Sequence, residues 1–277
     1  MLTIDIGFDP IIARFGSFEL GWHGIFTALA VLVAVWFALY LAARRGISTD
    51  LVANIATWGV VGGIVGARVF HVLDHLPTYL NDPLSILAVW EGGIAVYGAF
   101  IGGLLVGGFV AWHAKANIWA LLDIAAPAML VGQAIGRLGC LSNGDAWGAN
   151  ATGCTLCVAI RYTNPNDLLP ADLLGVPTYA YPLYEIAATL LLLFGLWLFR
   201  EWFRVRQGLT FLVAALGYAA IRFGLSYLRQ ETVVALGLQE AQVIALLTAA
   251  LAAVVLVWHV RRGGMASAEP AAPMPSV

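Results

Sequence analysis

Seven stretches of about 20 mostly apolar residues run through this chain, beginning near Trp22, Leu51, Gly92, Ile118, Tyr181, Gly208 and Glu240. That is the length an α-helix needs to cross about 30 Å of hydrocarbon. Lipid offers no partner to backbone N–H and C=O groups, so each stretch must close its own hydrogen bonds as a helix. The aliphatic runs 28–43, 190–199 and 245–257 carry the pattern most plainly. Composition agrees. Of the 277 residues, 61% are hydrophobic and 11% charged, against about a quarter charged in an ordinary soluble domain, and the mean hydropathy is +0.86. The expected fold class is all-α: a polytopic membrane protein with seven transmembrane helices.

The basic residues set the expected orientation. With the N-terminus outside, Arg44, Arg45, Lys115, Arg200, Arg204, Arg206, Arg261 and Arg262 collect at inner ends and loops, leaving Arg14, Arg161 and Arg229 outside. Lys and Arg concentrate on the cytoplasmic side of membrane proteins, so an outer N-terminus and a cytoplasmic C-terminus are expected. The first 20 residues hold Asp5, Asp9, Arg14 and Glu19 rather than a basic start, an apolar stretch and a cleavage site. The first span is therefore expected to target the chain. A formal net charge of −2 suggests no polyanion-binding surface, and no nucleic acid partner is expected. Residues 1–262 read as a single membrane domain with an outward polar loop at about 138–180. The Ala-, Pro- and Ser-rich segment 263–277 reads as a disordered cytoplasmic tail. The absence of an internal repeat argues against transporter folds built from duplicated halves.

Three arginines, Arg68, Arg137 and Arg222, fall within or at the rim of these spans. An ionisable residue at the centre of a span costs at least about 2.5–3.5 kcal/mol, so it usually faces a cavity or a partner. Near a span end the bland alternative is snorkelling to the interface, and for Arg68 both readings stand. Arg137 sits among Gly132, Gly136, Gly139, Gly144 and Gly148, which permit close packing and expose backbone N–H groups. Tyr218 lies one turn before Arg222 and Ser226 one turn after it, so the three share a helix face. Two guanidiniums opening on an outer-leaflet cavity suit a phosphate, which they can grip bidentately. A phospholipid headgroup is the most available phosphate there. An anion transporter or channel would also place arginines in the membrane, but it needs a path open to both sides in turn.

Other polar groups leave alternatives open. In WEGGIAVYGAFIGG, Glu91 opens the third span and Tyr97 lies inside it, as a substrate-facing phenol or as a headgroup-belt aromatic. Asn143 and Asp145 could orient Arg137 or bind lipid glycerol, or simply form a turn beside Gly144. Glu185 could pair with an arginine across the bundle, or stand solvated in a first helical turn. His71, His75, His113 and His259 sit near span ends and read as interfacial. Cys154 and Cys157 form a CxxC in the outward loop, which holds no His; a disulfide is expected there rather than zinc, which would need two further ligands. Cys140 is either a small buried residue or a reactive thiol. No metal site and no cofactor are expected.

Several motifs now line up in order: FDPIIARFGSFELGWHG at 8–24, GARVFHV, WEGGIAVYGAFIGG, GRLGCLSNGDAWG at 136–148, YPLYE at 181–185 and GYAAIRFGLSYLRQ at 217–230. Nearly end to end, the chain resembles the prolipoprotein diacylglyceryl transferase family. The resemblance implies a bacterial inner-membrane enzyme that moves the diacylglyceryl group of phosphatidylglycerol to the thiol of a lipobox cysteine. The acceptor is a preprolipoprotein and glycerol phosphate is released, the first step of lipoprotein maturation. Phosphatidylglycerol, lipobox-containing preprolipoproteins and membrane lipids are the implied partners. Arg137 and Arg222 match the family's two essential arginines, with Arg137 holding the lipid phosphate. Substrate contacts are expected from Arg68, Glu91, Asn143, Asp145, Gly148 and Tyr218.

The chain departs from the family pattern at informative places. Cys140 stands for Asn, Asp145 for Glu, and Ser226 for a Glu one turn after the second arginine. The family's histidine in the WEGG motif is Tyr97 here, while Trp22-His23-Gly24 stands where Trp-Tyr-Gly is common. His23 is therefore expected either to activate the incoming thiol, with Tyr97 as its hydrogen-bond partner, or merely to cap or anchor a helix at the interface. A thiol of pKa about 8.5 and an imidazole of about 6.5 are close enough for such assistance. The two arginines would stabilise the charge on the departing phosphate. The same departures leave room for a diverged relative that kept the phospholipid cavity but changed its acceptor or lost catalysis.

Overall fold

The computed structural model describes residues 1–261 except Ser17, 89–91, Ile94, Val205, Thr232 and Leu236. Glu91 and the tail 263–277 lie outside the described residues. In chain order the helices are α1 (Trp22–Arg44), α2 (Thr49–Asp74), the short α3 (Leu76–Asn81), α4 (Val96–His113) and α5 (Ile118–Asn143). They continue with α6 (Tyr181–Leu198), the short α7 (Arg200–Arg204), α8 (Leu209–Ser226) and α9 (Glu240–Arg261). Seven of them, all but α3 and α7, are long and apolar enough to cross a membrane. Their flanks carry exposed Leu32, Trp36, Leu104, Leu191, Leu247 and Leu251, a surface that water would penalise and lipid would not.

The third span begins at Val96, four residues after the expected Gly92. Gly92 and Gly93 take φ of +88° and +74°, and left-handed backbone cannot propagate a right-handed helix. The chain is also not purely helical. Short strands lie outside the spans: β1 (Leu2–Ile6), β2 (Ile11–Phe15), β3 (Phe18–Gly21), β4 (Val158–Tyr162), β5 (Thr178–Tyr179), β6 (Val233–Ala235) and β7 (Leu238–Gln239).

The chain divides into two compact units, residues 1–13, 20–34 and 122–277 in the first and 14–19 and 35–121 in the second. In the first unit β1 pairs in parallel with β4, from Leu2 opposite Val158 to Ile6 opposite Tyr162, and β5 adds antiparallel on the other side. Ile6, Ile160, Tyr162, Leu169, Leu173 and Ala180 close a small core beneath this sheet. The α5–α6 connection, expected as a polar loop, is thus a folded cap. Tyr162 donates to the carbonyl of Leu141 at 3.1 Å, fastening the cap to the end of α5. Burial pushes its phenol pKa well up. The Tyr184 hydroxyl on α6 accepts from the Val158 N–H and donates to its carbonyl, at 2.8 and 2.9 Å. Arg161 donates to both carboxylate oxygens of Asp5 across the strand pair, and this holds the Asp5 carboxyl below the usual range.

At the other end of the unit, the buried Asp123 of α5 accepts from the N–H groups of Gly208 and Phe211 at 2.6 and 2.9 Å. Those amides open α8 and have no partner inside it, so a carboxylate from a neighbouring helix serves as the cap. His259, in the last turn of α9, is buried and contacts the Gln207 carbonyl at 2.9 Å.

The second unit is built on the close approach of α2 and α4. A Cβ added at Gly66 would collide with the carbonyl of Gly98, and one at Gly102 with the carbonyl of Gly62. Small residues at such a seam let helix backbones touch in lipid, where packing rather than hydrophobicity drives association.

Candidate active site

In the first unit, the C-terminal end of α5, the N-terminal end of α6 and the C-terminal end of α8 bring four side chains to one carboxylate. Glu185 is fully buried. Its Oε1 accepts from Arg137 Nη2 at 3.0 Å, from the Tyr218 hydroxyl at 2.8 Å and from Gln133 Nε2 at 3.2 Å. Its Oε2 lies 2.9 Å from Arg137 Nε and 3.5 Å from Arg222 Nη1, contacts of charge rather than aligned hydrogen bonds. Gln133 also donates to the Tyr218 hydroxyl at 2.8 Å. Arg222 donates to the hydroxyl of the fully buried Tyr181. The Tyr181 ring lies 5.8, 5.7 and 4.9 Å from the guanidinium centres of Arg137, Arg222 and Arg229, within cation–π reach of all three.

The charge balance of this cluster is informative. Arg229 has its own partner in Glu231, at 2.6 Å. Arg137 and Arg222, with side chains 15% and 23% exposed, share the single carboxylate of Glu185 among the described residues. Two cations against one anion leave one positive charge in a poorly solvated place. Such a charge calls for a further anion, and a guanidinium favours one with paired oxygens.

Beside the cluster, α1 enters through a gap left by Gly139. A Cβ there would lie 3.2 Å from the Cα of His23. His23 Nδ1 stands 3.5 Å from Asp145 Oδ2, Asn143 Nδ2 donates to the same oxygen at 3.4 Å, and Arg137 Nη1 reaches Cys140 Sγ at 3.5 Å. Ser226 donates to the carbonyl of Arg222 at 2.7 Å, so it does not replace a carboxylate at the cluster.

The remaining candidates fall elsewhere. Gly148 is a close-approach position, where any side chain would collide with Tyr179. Arg68, expected to snorkel or to meet substrate, is buried in the second unit and donates to carbonyls of Ser85, Ile86, Ala88, Gly92 and Gly93 at 2.6 to 3.4 Å. Its donors staple that segment. A phosphate would have to displace one of them. Tyr97 is exposed on α4 and lines a groove with Phe70, Leu73, Asp74 and Ala95. Cys154 and Cys157 pair as a disulfide.

A family model described as prolipoprotein diacylglyceryl transferase matches residues 10–258. The chain belongs to the prolipoprotein diacylglyceryl transferase family. Among curated relatives named phosphatidylglycerol–prolipoprotein diacylglyceryl transferase, one from a Nostoc species is 32% identical over 95% of this chain and 94% of its own. Another, from Dehalococcoides mccartyi, is 34% identical over 93% and 96%. A third, from Synechococcus elongatus, is 32% identical over 90% and 86%. In this chain the motif arginines are organised by Glu185, for which pairing with an arginine across the bundle is one of two readings open from the sequence, and by Gln133 and Tyr181, which sequence reasoning passed over. Gln133 and Tyr181 gave no signal beyond being polar in or beside an apolar run. Of the two readings of Glu185, the structure has the pairing across the bundle, with Arg137 and Arg222 lying 48 and 37 positions away; spacing alone does not say which arginines it meets.

Proposed function

We propose that this protein transfers the diacylglyceryl group of phosphatidylglycerol to the thiol of a lipobox cysteine in a preprolipoprotein, within the bacterial inner membrane. The observation that carries the reading is the pairing of two guanidiniums with one buried carboxylate. The anionic phosphodiester of phosphatidylglycerol supplies the missing charge. With the N-terminus outward, this end of the unit faces the outer leaflet, where lipid and secreted acceptor meet.

The chemistry is a displacement at carbon. The acceptor sulfur attacks the glyceryl CH2 that bears the phosphate, an S–C bond forms, and the C–O bond breaks. The electron pair passes to the phosphate oxygen, and glycerol phosphate leaves. Charge grows on the phosphate as the bond breaks, and Arg137 and Arg222 stabilise it in a site that excludes most water. Glu185 and Tyr181 hold the two guanidiniums in place beforehand, so little reorganisation is needed at the moment of reaction. His23 activates the thiol, with Asp145 in place to orient the imidazole.

The test is direct. Purified protein is given phosphatidylglycerol and a synthetic lipobox peptide, and the peptide mass is measured. A gain of one diacylglyceryl unit is expected. Loss of one guanidinium in R222A should lower turnover by roughly 10²- to 10³-fold, the scale for one preorganised donor at a charge-developing site. H23F should lose turnover without losing membrane yield. Well-folded protein that leaves the peptide mass unchanged would instead point to a relative with another acceptor or none.

A further inference from the structure

His23, Cys140 and Asp145 come from three separate places in the chain, yet their ligand atoms lie within 4.8 Å of one another. One is a ring nitrogen, one a thiol sulfur and one a carboxylate oxygen, a donor set typical of zinc. His23 Nδ1 and Asp145 Oδ1 are each shielded from solvent without a hydrogen-bond partner among the described residues. Buried polar atoms seldom stay unsatisfied, and those that do call for an ion, a water or a role. Tetrahedral zinc with ligands at about 2.0–2.3 Å requires the three atoms to draw in modestly, and His23 and Asp145 already stand 3.5 Å apart.

We propose that these three side chains form a zinc site whose fourth position takes the acceptor cysteine. The proposal rests on the transferase reading and adds how the thiol is activated. Three protein ligands and an open position are the arrangement of catalytic rather than structural zinc. A thiol that coordinates zinc gives up its proton, here to water, and the bound thiolate keeps a lone pair for attack. His23 then serves as a metal ligand rather than a proton acceptor.

Charge and position agree with this role. Zinc with the Cys140 thiolate and the Asp145 carboxylate is neutral overall, so it can sit beside Arg137, whose Nη1 is 3.5 Å from the Cys140 sulfur. Adding the acceptor thiolate gives the centre one negative charge next to a cluster with a positive excess. That same guanidinium reaches toward both the metal-bound sulfur and the anion site. Nucleophile and leaving group would therefore be held by adjoining parts of one assembly.

Cobalt(II) is the probe, because a thiolate ligand gives it a charge-transfer band that zinc lacks. The full chain in detergent, kept oxidised at Cys154 and Cys157, is stripped with chelator and titrated with cobalt chloride. One cobalt per chain with a thiolate band is expected, lost in C140S, weakened in D145N, and displaced by zinc. A lipobox peptide should intensify the band by adding a second thiolate, and its Cys→Ser version should not. Chelation should cut transfer by roughly 10²-fold or more, the scale of lost proton-transfer assistance, and zinc should restore it. Absence of the band, or an equal band in C140S, overturns the site. Undiminished transfer after chelation overturns the proposal while leaving the transferase reading intact. A metal-loaded protein that transfers nothing overturns that reading and, with it, the role given to the fourth position.

Discussion

Replacing Glu185 with Gln isolates the charge that holds the active site together. The variant keeps the shape of the side chain and an oxygen able to accept from Arg137, Gln133 and Tyr218, the three hydrogen bonds made to Oε1. What it loses is the negative charge, and its new NH2 group replaces the oxygen that lies 2.9 Å from Arg137 Nε, so donors face donors. Bonds that involve a charged group contribute about 1.5–3 kcal/mol and neutral ones about 0.5–1.5; downgrading three of them costs about 3–4.5 kcal/mol. Removing one partner of a buried ion pair costs about 3–5 kcal/mol by direct comparison, so the two routes agree. Against a total stability of about 5–15 kcal/mol, that is a large loss. The assay is unfolding of the purified protein in mixed micelles by a rising fraction of anionic detergent, followed by Trp fluorescence. Added phosphatidylglycerol should recover more stability in E185Q than in the parent, because a phosphate then supplies the missing counter-charge. A midpoint unchanged to within about 1 kcal/mol, with no extra response to the lipid, would refute the claim that Glu185 neutralises these cations.

Three further outcomes are expected. D123A strips the cap from α8 and leaves the amides of Gly208 and Phe211 buried and unpaired; it should cost about 1–3 kcal/mol, measured by the same unfolding titration. G102V forces α2 and α4 apart at the Gly62 carbonyl and should cost about 1–3 kcal/mol or more by overpacking, whereas G108V, which meets nothing within 4 Å, should be neutral in the same assay. The Asp5 carboxyl, lowered by Arg161, contributes stability above its unfolded-state pKa and loses it only as pH falls through the folded value. The contribution should therefore be level across neutral pH and vanish only in acid below the usual carboxylate range, as NMR titration of Asp5 would report; a midpoint at or above that range would contradict it.

Much of the architecture was legible because a membrane span is a long, strongly constrained signal. Six of the seven helices begin within two residues of the expected points, and the seventh is delayed by two glycines whose left-handed backbone a hydropathy pattern does not register. The cap was not legible. Its strands are five residues or fewer, and β1 finds its partner 156 positions away, beyond what local periodicity encodes. Within the site, Arg137 and Arg222 stand out as costly charges in apolar surroundings and Glu185 as a carboxylate able to meet an arginine, but that one carboxylate joins both cations is a long-range contact no spacing encodes. Arg68 shows the converse: an intramembrane arginine marks a site by default, and here its donors are committed to backbone carbonyls. His23, Cys140 and Asp145, each a departure from the family pattern, meet in space although 117 positions separate the first two. Viewed one at a time, they look like scattered drift.

The Arg137–Glu185 pair also constrains how the chain is made. The two residues are 48 positions apart, and at about 5–20 residues per second the ribosome delivers the second roughly 2–10 s after the first. For that interval the fourth span carries an unneutralised guanidinium, which the insertion machinery would have to shelter in water or beside protein until the fifth span arrives. The two spans are best released into lipid as a hairpin, and the partnership of Arg137 and Glu185 would serve first as a ticket of entry.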